Sequence, residues 1–264
     1  CLAQRYSLEI RRQIPEVDAI LGTSSIREIG DVLKRLKKGE KKDAPLVVLK
    51  PLTEKPYADP ERTLSSPGHF AFLKLAEGCD KRCTYCIIPS IRGPYRSIPE
   101  EQLLREAEGL ADAGVKELIL VAQETTLYGL ELYGKKALPG LLKNLSGLGF
   151  PWIRLLYCYP EEIYPELIDC MKREKKFVHY LDLPIQHASD EMLRRMGRRT
   201  TQKDLREIVT ALRREVPDIC LRTTLITGFP GETLSQHEAM LSFVEEAAFD
   251  HLGVFTYSRE EGTP

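Results

Sequence analysis

No stretch of this sequence approaches the roughly 18 consecutive apolar residues that a membrane-crossing helix needs, so no spanning helix and no membrane partner are expected. Nor is there a surplus of charge: 38 Lys and Arg stand against 39 Asp and Glu, a net charge of −1. That balance gives no electrostatic argument for a nucleic-acid or membrane-surface partner. A disulfide framework is missing too. The seven cysteines are an odd number, and three crowd into eight residues, a poor basis for bridges but a good metal cradle. A reducing, cytoplasmic compartment is the expectation that follows. No methionine opens the chain, which starts at Cys1, and the expectation is that the natural N-terminus lies upstream.

What the sequence does hold is material for a core: 42% hydrophobic and 29% charged residues over 264 positions, enough for one large domain with an extra piece. The first forty residues suggest a polar helix over Leu2–Arg12, a short apolar strand Val17–Leu21 and a helix ending near Gly39. The lysines from Lys34 to Lys42 read as a solvated helix end. Pro45, Pro51, Pro56, Pro60 and Pro67 then mark an extended linker. The implied divisions are 1–42, 43–68 and 69–264.

Beyond Gly68 short apolar runs alternate with helical patterns. Strands are expected over Phe70–Leu75, Glu117–Ala122, Trp152–Tyr157, Phe177–Leu183, Ile219–Thr227 and His251–Thr256, with helices between them. Six such repeats argue for a parallel sheet with right-handed crossovers. The fold class is therefore α/β, a partial six-unit (β/α) barrel of the TIM type, preceded by a remnant of another α/β domain.

Directly after the first of those six strands, Cys79, Cys83 and Cys86 are spaced C-x-x-x-C-x-x-C. Thiolates are soft ligands that suit iron–sulfur clusters, zinc or copper(I). A structural zinc site is normally closed by four ligands, whereas no fourth cysteine or histidine follows nearby; the next cysteine is Cys158. Three ligands on a four-iron cluster leave one iron open for chemistry. The plain alternatives are a non-catalytic zinc module completed by a remote histidine, or three packed cysteines. Other strand ends are polar: Gln123-Glu124-Thr125-Thr126, Gln186-His187, and Thr227 to Thr233 with Gly228 and Gly231, while Arg222 lies early in the fifth strand. A glycine there admits a ligand close to the backbone, and an arginine can hold a carboxylate bidentately; turn-shaping and capping are the alternative roles. Cys158, Cys170 and Cys220 read as packing residues, and Arg194, Arg195, Arg198 and Arg199 as a solvated helix end, a face for a polyanion or a protein substrate being the alternative.

The loop Glu77-Gly78-Cys79-Asp80-Lys81-Arg82-Cys83-Thr84-Tyr85-Cys86 resembles the motif of the radical S-adenosylmethionine (SAM) enzymes, with Tyr85 at the aromatic position near the adenine. Within that superfamily the chain resembles the methylthiotransferases. It does so through Cys1-Leu2-Ala3-Gln4-Arg5-Tyr6, Cys86-Ile87-Ile88-Pro89, Arg92-Gly93, Gly228 to Thr233 and Tyr257 to Thr263. Ala122 to Thr126 and Asp182 to Ser189 are similar to the RimO type, which methylthiolates the β-carbon of an aspartate in ribosomal protein uS12; a tRNA adenosine is the alternative substrate. The resemblance implies a [4Fe-4S] cluster on Cys79, Cys83 and Cys86, with SAM chelating its open iron and cleaved to a 5′-deoxyadenosyl radical. It implies SAM contacts from Tyr85, Gln123, Glu124, Gln186, Arg222 and Gly228. It also implies a second [4Fe-4S] cluster, of whose three cysteines only Cys1 stands in this sequence, a reducing electron donor, and a separate C-terminal domain through which any RNA contact would run.

Overall fold

The computed structural model of the protein describes residues 1–40, 44–59, 61–64 and 67–264. The expected boundary at 42/43 and Pro60 of the linker lie outside the described residues.

The chain begins with α1 (Leu2–Arg5), α2 (Ser7–Gln13), β1 (Ala19–Leu21), α3 (Ile29–Lys37) and β2 (Leu46–Val48). β1 and β2 pair in parallel, Ala19 opposite Leu46, so three residues of the proline-marked stretch form a strand. Two further residues of that stretch meet the main domain, where buried Glu106 accepts the Asp59 amide at 2.8 Å and pairs with Arg62 at 3.1 Å.

The main domain alternates strand and helix: β3 (Phe70–Lys74), β4 (Ala76–Glu77), α4 (Ile88–Arg92), β5 (Arg96–Ser97), α5 (Glu100–Asp112), β6 (Glu117–Val121), α6 (Leu130–Tyr133), α7 (Leu138–Ser146) and β7 (Trp152–Leu155). It continues with α8 (Pro165–Arg173), β8 (Phe177–Asp182), α9 (Asp190–Arg195), α10 (Gln202–Glu215), β9 (Cys220–Thr227), α11 (Leu234–Ala247) and β10 (His251–Thr256). The six long strands form one all-parallel sheet in the order β10-β9-β8-β7-β6-β3. The expected six-unit partial barrel is what the chain forms.

Strand period explains which face is packed. Leu118 and Leu120, Ile153 and Leu155, Leu221 and Leu225 are buried in the main core, together with Leu103, Ala107 and Leu110 of α5 and Leu205 and Leu212 of α10. The alternate residues carry charge: Glu117 pairs with Arg154, whose guanidinium lies over the Tyr180 ring, and Asp182 pairs with Arg222 at 2.6 Å. A parallel sheet usually buries apolar residues on both faces. Here the second face is mixed, with Ile119, Val121 and Ile226 among Glu117, Arg154 and Arg222.

Two helix starts are fixed by reciprocal capping boxes, Thr201 with Asp204 and Thr233 with Gln236. Leu120→Ala should cost about 3 kcal/mol of unfolding free energy and Thr201→Ala about 1 kcal/mol, both measured by urea denaturation. Equal losses in the two variants would contradict this placement of the core.

Candidate active site

The three cysteines owe their position to a small hairpin that the strand–helix rhythm does not announce. β4 and β5 pair antiparallel, Ala76 with Ser97 and Glu77 with Arg96, and the loop between them carries the thiols. Gly78 starts the loop at φ +80, and a Cβ there would stand 2.1 Å from the Pro94 carbonyl and 2.5 Å from that of Gly93. Only glycine fits. Its amide donates to Gln123 Oε1 at 2.9 Å, and the Cys79 amide to Gly93 O at 3.1 Å. On the far side the Thr84 amide bonds Met196 O and its hydroxyl bonds Arg195 O. The loop is thus clamped between the end of β6 and the end of α9.

Cys79 and Cys83 are buried and Cys86 is half-buried. A cavity of about 470 Å³ opens beside them, bordered by Cys79, Cys86, Gln123, Tyr157, Tyr159 and Lys74. Cys83 faces Tyr159, its Sγ 3.8 Å from the hydroxyl. Burial pushes the Cys79 thiol up to about 11, with Cys83, Cys86 and Glu124 adding to the shift, and burial also raises Cys86. Burial thus favours the thiol form of Cys79 and Cys86, and metal binding would release their protons. Soft donors, a clamped backbone and an adjacent cavity fit an iron–sulfur cluster with one open side. Among the described residues no set of three His, Cys, Asp or Glu side chains is arranged around a single metal ion.

Beneath the thiols lies a layer of charge. Lys81 Nζ reaches Glu161 at 3.4 Å and bonds Glu162, and Lys136 pairs with Glu162 at 3.0 Å. Burial alone would lower Lys81, but the two carboxylates outweigh it and hold it above its ordinary value. Arg198, expected in a solvated run, is instead 6% exposed, its guanidinium stacked 4.3 Å from the Tyr159 ring. Neither it nor Tyr159 stood out in the sequence, since an arginine among arginines reads as surface.

The remaining candidate residues fall into distinct places. Tyr85 packs edge-on against Phe229, with ring centroids 6.5 Å apart. Gln123 lines the cavity while holding the loop. Glu124 is fully buried behind it, taking the Thr126 amide and hydroxyl on one oxygen and leaving the other unpartnered. Gln186 has φ +70 and bridges to Leu225, and Tyr157 has φ +60. Non-glycine residues in this region are uncommon and gather at functional sites. Arg222 is engaged by Asp182 across the β8–β9 ladder. Gly228 has φ +71 with open space where a Cβ would be. Cys1 is exposed, and its Sγ accepts from Arg92 Nε at 3.2 Å, while Arg92 also reaches Glu77 at 3.1 Å.

His187 is fully buried. Its Nδ1 accepts the amides of Ala188 and Ser189 at 2.9 Å, leaving Nε2 to donate to Glu232 at 3.3 Å. Burial keeps this ring below its ordinary pKa. Glu232 in turn takes the Gly228 and Phe229 amides, so one neutral histidine ties the loop after β8 to the loop after β9.

A family model for the radical SAM superfamily matches residues 73–244. The chain belongs to that superfamily. The radical SAM fold is borne out by solved structures. The cobalamin-dependent SAM radical enzyme OxsB, with aqua-cobalamin and SAM bound, covers 92% of this chain and 38% of its own at TM-score 0.64 and 15% identity. The radical SAM methyltransferase TsrM from Kitasatospora setae, with tryptophan and aza-SAM bound, covers 77% and 41% at TM-score 0.60 and 19% identity. Far nearer in sequence are proteins named ribosomal protein uS12 methylthiotransferase RimO. That of Lachnoclostridium phytofermentans is 56% identical over 265 residues and that of Acetivibrio thermocellus 54% over 268. That of Clostridioides difficile is 48% identical over 265. In each case all of this chain is covered and 59% of the relative's length.

Burial lifts the Glu124 carboxyl to about 7. An acid whose folded pKa is raised stabilises the fold below its unfolded pKa, and that stability is lost as pH rises towards 7. In the metal-free protein Glu124→Gln should therefore flatten the fall in stability between about pH 4.5 and 7. The variant should also be more stable than wild type at pH 8, by up to about 3 kcal/mol. Urea titrations across pH measure it, and parallel wild-type and variant curves would contradict the raised pKa.

Proposed function

We propose that this chain is the SAM-cleaving core of an aspartyl methylthiotransferase acting on ribosomal protein uS12. The observation that carries the reading is 56% identity, over all of this chain, to a protein named ribosomal protein uS12 methylthiotransferase RimO, joined to a clamped three-thiol loop at the mouth of the barrel. The chain spans 59% of that relative, so the activity, substrate and partners assigned here are those proposed for the whole enzyme. The three divisions 1–42, 43–68 and 69–264 are the domain organisation we infer.

Cys79, Cys83 and Cys86 would hold a [4Fe-4S] cluster. When bound and reduced by an external one-electron donor, such a cluster supplies the electron that cleaves SAM into methionine and a 5′-deoxyadenosyl radical. The chain's own residues bind and orient. Gln123 fixes the Gly78 end of the loop and borders the cavity. Tyr85, Gln186 and Gly228 present a ring, a strained backbone position and an open backbone position at neighbouring strand ends, the places where SAM would be held. Glu124 is behind that surface and Arg222 is already paired, so their part would be to support the contacts rather than to reach far into the cavity. Cys1 would be one ligand of a second [4Fe-4S] cluster, with two cysteines this sequence does not contain. Free thiols in a metal cradle suit a reducing cytoplasm. No helix of the described residues is long and apolar enough to cross a membrane.

After anaerobic loading with iron and sulfide, reduction and addition of SAM, wild type should form 5′-deoxyadenosine, and Cys83→Ala should fall to the level seen without protein. The whole enzyme, given uS12, should add one methylthio group to an aspartate, read by mass spectrometry of the digested substrate. Methylthiolation of a tRNA adenosine with uS12 left unmodified would overturn the substrate assignment.

A further inference from the structure

The tyrosine under the loop has no assigned part. Its hydroxyl lies 3.8 Å from Cys83 Sγ, and two cations flank its ring: the Arg198 guanidinium 4.3 Å from the centroid and Lys81 Nζ at 5.2 Å. Arg198 is anchored by Pro184 O at 3.1 Å and stands 3.5 Å from Glu161, while its Nε and Nη1 are buried without partners. With Lys136 included, three cations face the two carboxylates of Glu161 and Glu162, and the next carboxyl, Glu124, is lifted by burial to about 7, so the cations of this layer are not fully matched at the ring of Tyr159. A guanidinium left this incompletely bonded in a dry place is costly. A negatively charged neighbour would offset that cost.

We propose that Tyr159, backed by Arg198 and Lys81, is a positioning residue that sets the reduction potential of the metal group on Cys83. Once Cys83 is a thiolate it can only accept, so the phenol donates to the sulfur, and cations against the ring strengthen that donor. Reduction adds one electron from the external donor and one negative charge to the group. Hydrogen bonds to the sulfurs and a net positive environment favour that state, so the layer raises the potential. The inference rests on the loop's being an iron–sulfur cradle.

The test is EPR-monitored redox titration of the protein reconstituted with iron and sulfide, the signal being assigned to the loop by its absence in Cys83→Ala. Tyr159→Phe should load as much iron and sulfide as wild type and titrate at a lower potential. Arg198→Met should also move down, and Arg198→Lys, which keeps the charge, should move less. An unchanged or higher midpoint in a fully loaded Tyr159→Phe would overturn the proposal, and this variant decides alone if Arg198→Met does not fold. A folded wild type that takes up no iron or sulfide would instead overturn the cradle reading beneath it, and metal analysis tells the two failures apart.

Discussion

The hydrogen bond between the Gly78 amide and the Gln123 side chain joins the cysteine loop to the neighbouring strand end, and the geometry of the site depends on that junction. It can form only because Gly78 adopts a positive φ while pressed against two carbonyls, a conformation and a distance that any side chain would forbid. Beside it the Cys79 amide bonds Gly93 O, and Gln123 borders the cavity that Cys79 and Cys86 also line. A second glycine completes the clamp. Gly197, at φ +71, lets the end of α9 approach Arg82 O, which a Cβ would meet at 2.8 Å. Two close backbone approaches, together with the Gln123 and Thr84 side-chain bonds and the packing of Tyr85 on Phe229, hold the loop.

Around that loop the barrel buries leucines and isoleucines on one face of the sheet and places charged pairs among apolar residues on the other. Leucines of alternate strand positions pack beneath the helices, which supplies the main driving force for folding. The opposite face carries Glu117 with Arg154 and Asp182 with Arg222. Partly exposed ion pairs such as these contribute little to stability, because solvent screens the attraction and desolvation offsets it. Their value here is to set side chains at fixed places in an interior that must stay open to a ligand. Strain sits in the same region, at Tyr157 and Gln186.

Much of this was legible in the residues. The six long strands stand close to where alternation of apolar runs with helical patterns put them, since both periods are written directly into the spacing of leucine, isoleucine and valine. The thiol loop was legible because three cysteines at that spacing have few uses. The hairpin of β4 and β5 was not, as two residues per strand carry no period. β2 was hidden among prolines, where turn signals outweigh three apolar residues. Arg198 was hidden by its neighbours: composition cannot tell which arginine of a run turns inward over a tyrosine. His187 stood in a short phrase, and only the fold shows it tying two loops together through Glu232.

In the proposed function three thiols would hold a cluster with one side open to SAM. Nothing tests it more directly than EPR of the reduced, reconstituted protein, recorded with and without SAM carrying an isotope-labelled amino nitrogen. A signal that changes on adding SAM and shows coupling to that nitrogen is the predicted result. A loaded, reducible cluster whose spectrum ignores SAM altogether would contradict it.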